Sequence, residues 1–296
     1  MASATKLIDM HSHWGTRRGY VLRTPEQLAQ QAKTWRSEPR YYTEDEQAQY
    51  FRDSNVRVIL DFGFDKGLSG EEARRIHDYA FEYQRTYSDC VIGNWIHVDP
   101  KTGKPALDEF ERCLRANAGF CGLAVSSAGS TAASDPAWEP FYKMCIDAGA
   151  PALIFVGTTG AGAGLPGGSG IRLDATHPRH LDEVAASHAD LTIIAARPAW
   201  PWQDEMIAIM LHKPNVWYEL HGWSPKYHTP ALKHEISRRL RDRVMFGADF
   251  PLFTYERLVD DWTNEGYAPE ILEKVFYRNA ERFFELHSAS TKGVKA

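Results

Sequence analysis

No two of the four cysteines, Cys90, Cys113, Cys121 and Cys145, stand in a C-x-x-C spacing. A zinc knuckle or redox dithiol needs that spacing, so the four read as buried free thiols of a reducing compartment. Basic clusters are missing as well: the formal charge is -5, with 34 Lys and Arg dispersed against 39 Asp and Glu. A nucleic-acid surface requires a basic stripe, which excludes that class of partner. There is no apolar run of membrane-spanning length and no charged-then-apolar leader. The expectation is therefore no membrane and a cytoplasmic address. No G-x-G-x-x-G follows the first strand-like segment and no G-x-S-x-G occurs, so dinucleotide binding and a serine nucleophile lose their main signals. A small-molecule substrate is the expected partner, and homo-oligomerisation stays open.

What is present is a regular alternation. With 43% hydrophobic and 25% charged residues over 296 positions, the composition suits one barrel-sized domain spanning residues 1–296. Short β-branched runs predict eight strands: Lys6–Met10, Val56–Phe62, Val91–Val98, Gly122–Val125, Ala152–Val156, Leu191–Ala196, Val216–Leu220 and Val244–Phe246. Amphipathic patterns between them predict helices at Gly70–Tyr87, Ala106–Ala116, Trp138–Ala148, Leu181–His188, Trp202–His212, Pro230–Arg241 and Pro269–Phe284. Such alternation argues for a parallel sheet, and eight units argue for a closed (β/α)8 TIM barrel over an open doubly wound sheet. The stretch Met10 to Asn55 is too long for one connection and predicts an inserted helical lid after the first strand. A second long connection, Thr158 to Gly170, has glycine at six of its thirteen positions. It lacks the Lys-Ser/Thr ending of a nucleotide loop, and reads as a turning loop at the barrel mouth.

Chemistry in such a barrel sits at the C-terminal strand ends. The first strand ends in His11-Ser12-His13, and residues two apart on a strand share a face. With Asp249, at the end of the eighth strand, these histidines form either a metal site or an acid/base cluster. The other strand ends offer Trp14, His97, Asp99, Ser126, Phe155, Arg197, His221 and Trp223, with Trp200 shortly after Arg197. His177 and His180, after the glycine-rich stretch, read as helix-entry residues. A mouth this aromatic suits a flat anionic substrate: Trp14, Phe155, Trp200 and Trp223 supply apolar faces, and Arg197 offers a planar fork to a carboxylate.

Four blocks carry a family resemblance. They are Ile8-Asp9-Met10-His11-Ser12-His13, Arg197 to Glu205, Gly222-Trp223-Ser224-Pro225-Lys226-Tyr227, and Phe246-Gly247-Ala248-Asp249-Phe250-Pro251, followed by Arg278-Asn279-Ala280-Glu281-Arg282. In this order the chain resembles the amidohydrolase-related (amidohydrolase 2) family, which includes aminocarboxymuconate-semialdehyde and resorcylate-type decarboxylases and many metal-dependent hydrolases. The resemblance implies a metal set of His11, His13 and Asp249. It also shows two departures: Phe155 stands where the family has a fifth-strand metal-binding His, and Arg197 where it has a sixth-strand His that is catalytic in the decarboxylases. The implied cofactor is one divalent ion, zinc or similar, bound more weakly than by a full ligand set. A metal-free route is the alternative, as in lactonases of the wider superfamily that use the eighth-strand Asp as base.

The expected function is hydrolysis of a small aromatic or carboxylated compound, with Asp249 activating water, Arg197 holding a carboxylate or oxyanion, and His221 standing in for a missing imidazole. Non-oxidative decarboxylation on the same scaffold is the alternative, and an inactive ligand-binding paralogue is another.

Overall fold

The structure is a computed structural model that describes residues 5–20, 24–36, 40–61, 63, 70–126 and 131–291. Eight parallel strands run in chain order: β1 (Leu7–His13), β2 (Val56–Asp61), β3 (Val91–His97), β4 (Phe120–Val125), β5 (Ala152–Phe155), β6 (Ile193–Ala196), β7 (Val216–Glu219) and β8 (Val244–Met245). The Met10 amide donates to the Phe246 carbonyl at 3.0 Å, and the Asp249 amide to the His11 carbonyl at 3.0 Å, which brings the last strand back to the first. The fold is thus the (β/α)8 barrel that the alternation predicts.

Side-chain alternation sorts the core into two layers. Ile8, Met10, Ile59, Leu153, Ile194 and Met245 fill the barrel, closed at the bottom by Phe283. Leu7, Val58, Leu60, Ile154, Ile193 and Val244 point outward, where the helices cover them. These helices are α3 (Gly70–Thr86), α4 (Lys104–Ala116), α5 (Glu139–Ala148), α6 (Pro178–Ser187), α7 (Gln203–His212), α8 (Pro230–Ile236), α9 (Tyr255–Asn264), α10 (Pro269–Glu273) and α11 (Asn279–Thr291). All four cysteines are buried free thiols. Among the described residues no helix is long and apolar enough to cross a membrane.

Several strand ends shift by one or two residues, and α8 stops at Ile236 where Arg241 was expected; two further differences have local reasons. The strand expected at Lys6–Met10 continues to His13, because the top layer of this barrel is polar and, past a register shift after Asp9, Ser12 and His13 still pair with Leu60 and Asp61 of β2. The single helix expected at Pro269–Phe284 is interrupted by a π turn at Lys274–Arg278. There the Val275 carbonyl accepts the Phe246 amide at 2.9 Å instead of a helical partner, and the Asn279 amide reaches back to Lys274. Phe62, expected to end β2, lies outside the described residues.

The connection after β1 carries two helices, α1 (Pro25–Trp35) and α2 (Glu44–Asp53). Each opens with a reciprocal Thr cap, Thr24 with Gln27 and Thr43 with Glu46. Residues 21–23 and 37–39 of this expected lid lie outside the described residues. The glycine-rich loop meets α1: a Cβ at Gly164, where φ is +77°, would lie 2.8 Å from Gln30 Nε2. The lid of β1 therefore rests on the loop of β5.

Candidate active site

At the C-terminal mouth, β1 presents His11 and His13 with ring centroids 5.0 Å apart, and the turn after β8 brings Asp249 between them. Asp249 Oδ1 lies 3.0 Å from His13 Nε2 and 4.0 Å from His11 Nδ1. Arg197 and His221 join the same cluster: Arg197 Nε donates to His221 Nε2 at 3.2 Å, and the His221 ring stacks on His11 at 3.7 Å. Phe155, 5% exposed, sits below, its ring 5.5 Å from His11 and 4.9 Å from the Arg197 guanidinium carbon. Arg197 and Asp249 both hold left-handed backbone, φ +75° and +63°. Such conformations are rare for non-glycine residues and persist only where surrounding bonds fix them.

The protonation pattern follows from these partners. Burial, reinforced by His221, lowers His11 to about 4, so its ring is neutral. Its Nε2 is 2.7 Å from Asp61 Oδ2 and donates there, which leaves a lone pair on Nδ1, a buried atom without a protein partner. Burial opposes charge on His13, but Asp249 outweighs it and raises the imidazole to about 9. Burial likewise works against ionised Asp249, yet His13, His221 and His11 hold that carboxyl well below its usual range. Behind His221, its Nδ1 lies 2.5 Å from Glu219 Oε1. Burial raises the Glu219 carboxyl to about 8 and lowers the imidazole to about 3; because His221 Nε2 accepts from Arg197, the neutral ring carries its proton on Nδ1, facing Glu219. Glycine is required at Gly247 because a Cβ there would lie 2.8 Å from the His221 Cβ.

Sequence reasoning missed three residues here. Asp61 ends β2, fully buried, and holds His11 through one oxygen and His97 Nε2 through the other at 2.6 Å. Its carbonyl also accepts from His13 Nδ1 at 2.6 Å, fixing the tautomer that turns Nε2 toward Asp249. Glu219 orients His221, and Asp9 accepts the amides of His11 and Ala248 at 3.0 and 3.1 Å. The available signal was a carboxylate inside or closing an apolar strand, where burial without a partner is too costly to persist.

Other expected positions lie apart from the cluster. Trp14, expected at the mouth, is fully buried between sheet and helices beside Tyr79, with no face left for a ligand. Trp200 and Trp223 do lie at the rim, stacked at 5.7 Å, with Trp200 45% exposed. Asp99 caps the turn after β3, and His177 caps α6 by accepting the Arg179 amide at 3.2 Å.

His11 Nδ1, His13 Nε2 and an Asp249 oxygen are mutually within 4.8 Å, close enough to share one ion. The lone pair on buried His11 Nδ1 and the two-nitrogen, one-oxygen donor set fit a divalent metal with open positions for water. His11, Glu219 and His221 form a second such group, but Glu219 and Arg197 already engage both nitrogens of His221.

Solved structures share this architecture. An uncharacterised TIM-barrel protein from Bordetella bronchiseptica superposes with a TM-score of 0.73 at 17% identity, over 96% of this chain and 100% of that one. A 5-carboxyvanillate decarboxylase from Novosphingobium aromaticivorans, complexed with manganese and 4-hydroxy-3-methoxy-5-nitrobenzoic acid, gives 0.68 at 17% identity, over 95% and 96%. A probable 2-pyrone-4,6-dicarboxylic acid hydrolase from Acinetobacter baumannii with citric acid bound gives 0.62 at 13% identity, over 95% and 100%. No curated protein matches the chain by sequence. The amidohydrolase family model matches residues 8–286, nearly the whole barrel with both ends of the His and Asp cluster, and the chain belongs to that family.

Proposed function

We propose that the protein is a hydrolase of small carboxylated ring compounds. The observation that carries this is the Arg197 guanidinium, half-buried at the mouth, with which no carboxylate among the described residues forms an ion pair. A half-buried cation of this kind is stabilised by an anionic ligand, and a guanidinium fork matches a carboxylate in two hydrogen bonds. Phe155 beside it supplies a surface for a ring.

With the substrate carboxylate on Arg197, its scissile carbonyl lies toward His13 and Asp249. Asp249 accepts a proton from water as the water oxygen bonds to the carbonyl carbon. When the C–O or C–N bond breaks, Asp249 returns that proton to the leaving group. A divalent ion held by His11, His13 and Asp249 would supply Lewis acidity at the carbonyl and acidify the attacking water. Asp61 holds Nε2 of His11 and Nδ1 of His13 as donors, so that an ion, on displacing the proton from His13 Nε2, would meet one lone pair from each ring.

Loss of carbon dioxide is the second reading. The likeness to a carboxyvanillate decarboxylase and the same guanidinium favour it, because a ring carboxylate beside Asp249 could exchange for a proton at carbon. Incubating the manganese- or zinc-loaded protein with aryl lactones, aryl amides and hydroxylated benzoates separates the two readings. Hydrolysed acid without carbon dioxide supports the proposal, and carbon dioxide with a decarboxylated ring replaces it. Ligand binding without product from any compound points to a binding paralogue.

A further inference from the structure

We infer that the site takes a two-ring carboxylate, the second ring lying on an aromatic platform formed by Trp200, with Trp200 as the specificity-determining residue. The inference rests on the reading of Arg197 as the carboxylate anchor and extends it outward. Two separate aromatic surfaces flank that anchor. The inner one is the edge of Phe155, 5% exposed and packed edge to face against His11 and His221. The outer one begins at Trp200, 45% exposed, whose inner face stacks on Trp223 at an interplanar angle of 29°. Tyr227, 56% exposed, meets Trp223 edge to face at 6.0 Å and extends the aromatic face.

The two surfaces are held in fixed relation by one short piece of backbone. Trp200 follows Arg197 by three residues in a turn whose Trp202 amide donates to the Ala199 carbonyl at 2.6 Å. The Thr158 amide donates to the Trp200 carbonyl at 2.8 Å and ties that turn to the end of β5. Single exposed apolar side chains are ordinary on a protein surface, but three contiguous aromatic rings that begin three residues along the chain from the anchor form a binding face. A single ring on Arg197 and Phe155 leaves the Trp200 outer face in water. A second ring covers it, and ring stacking of this type adds roughly three- to tenfold in affinity.

The test is calorimetric titration of the full chain with benzoate, biphenyl-3-carboxylate and biphenyl-4-carboxylate, for wild type, Trp200→Ala and Trp200→Phe. The expected result is that at least one biphenyl acid binds wild type three- to tenfold more tightly than benzoate. That ratio falls to about one in Trp200→Ala and is largely restored in Trp200→Phe. A ratio near one in wild type, or one that survives Trp200→Ala, overturns the platform while the Arg197 anchor stands. If benzoate does not bind, or binds equally well to Arg197→Ala, the anchor reading falls and the platform with it. Sedimentation of all three proteins covers the other occupant: a wild-type dimer that Trp200→Ala dissociates assigns the face to a second copy and overturns the proposal.

Discussion

The carboxylate of Asp9 accepts the backbone amide of Ala248 at 3.1 Å, one residue before the catalytic candidate Asp249. The next two amides are held by the same strand: Asp249 donates to the His11 carbonyl at 3.0 Å and Phe250 to Ser12 Oγ at 2.9 Å. Ser12 and Tyr255 donate in turn to Asp9 Oδ2, at 2.5 and 2.8 Å. The Asp9 to His13 segment thus presents imidazoles inward with two residues and clamps the Asp249 turn with two others.

Ser12→Ala leaves the buried Phe250 amide without its acceptor. An unsatisfied buried donor costs about 1–3 kcal/mol, so urea unfolding should show a loss in that range. Asp9→Ala strips acceptors from two amides and two hydroxyls together and should cost more. A Ser12→Ala midpoint equal to wild type would show that the clamp adds nothing to stability.

Asp249→Asn should lower kcat by roughly 10²–10⁴-fold with the fold intact, because the amide is nearly isosteric but accepts no proton. Binding of a carboxylate ligand should persist, since Arg197 is untouched. Measuring kcat and ligand affinity separately checks both halves, and near-normal kcat removes Asp249 from the mechanism.

Elemental analysis should find at most one divalent ion per chain. Asp61→Asn should weaken its affinity by roughly 10–100-fold, because the carboxylate that orients His11 is lost although no direct ligand changes. Competition with a chelator reads that difference. Two tightly bound ions, or an Asp61→Asn affinity equal to wild type, would contradict the ligand arrangement.

Acid should weaken the contact between α3 and α4. Burial works to raise the Glu109 carboxyl, but the Arg112 fork and His77 outweigh it and bring it down to about 2. Between the ordinary carboxyl value near 4.5 and about 2, the unfolded chain binds the proton that the folded chain refuses. The stabilisation is therefore complete above about pH 4.5 and fades as pH falls toward 2. The stability difference between wild type and Glu109→Gln, followed by urea unfolding, should shrink over that interval. A constant difference across it would show that Glu109 is not held ionised.

Much of this molecule was legible from residue order. Period-two apolar runs alternating with amphipathic ones gave eight strands in barrel order, and the H-x-H face predicted two imidazoles converging with Asp249. What stayed hidden depends on partners distant in sequence. Asp61 sits 50 residues from His11, and nothing local marks it as the acceptor of that ring. Trp14 follows His13 directly and so looked like a mouth residue, but past the strand end the chain turns outward and buries it beside Tyr79. The π turn was invisible for a similar reason, since it arises where the Phe246 amide, just past the end of β8, takes the Val275 carbonyl.

The seam between Asp9 and Ala248 joins positions 239 residues apart. During synthesis the first strand therefore emerges with both histidines in place and waits for nearly the whole remaining chain before Asp249, the carboxylate near both, exists. Closing so long a loop is also the slowest kind of contact to form, so the reaction centre matures together with the final joining of the barrel. On the role proposed for Asp249, activity should therefore report on the population of fully closed barrels.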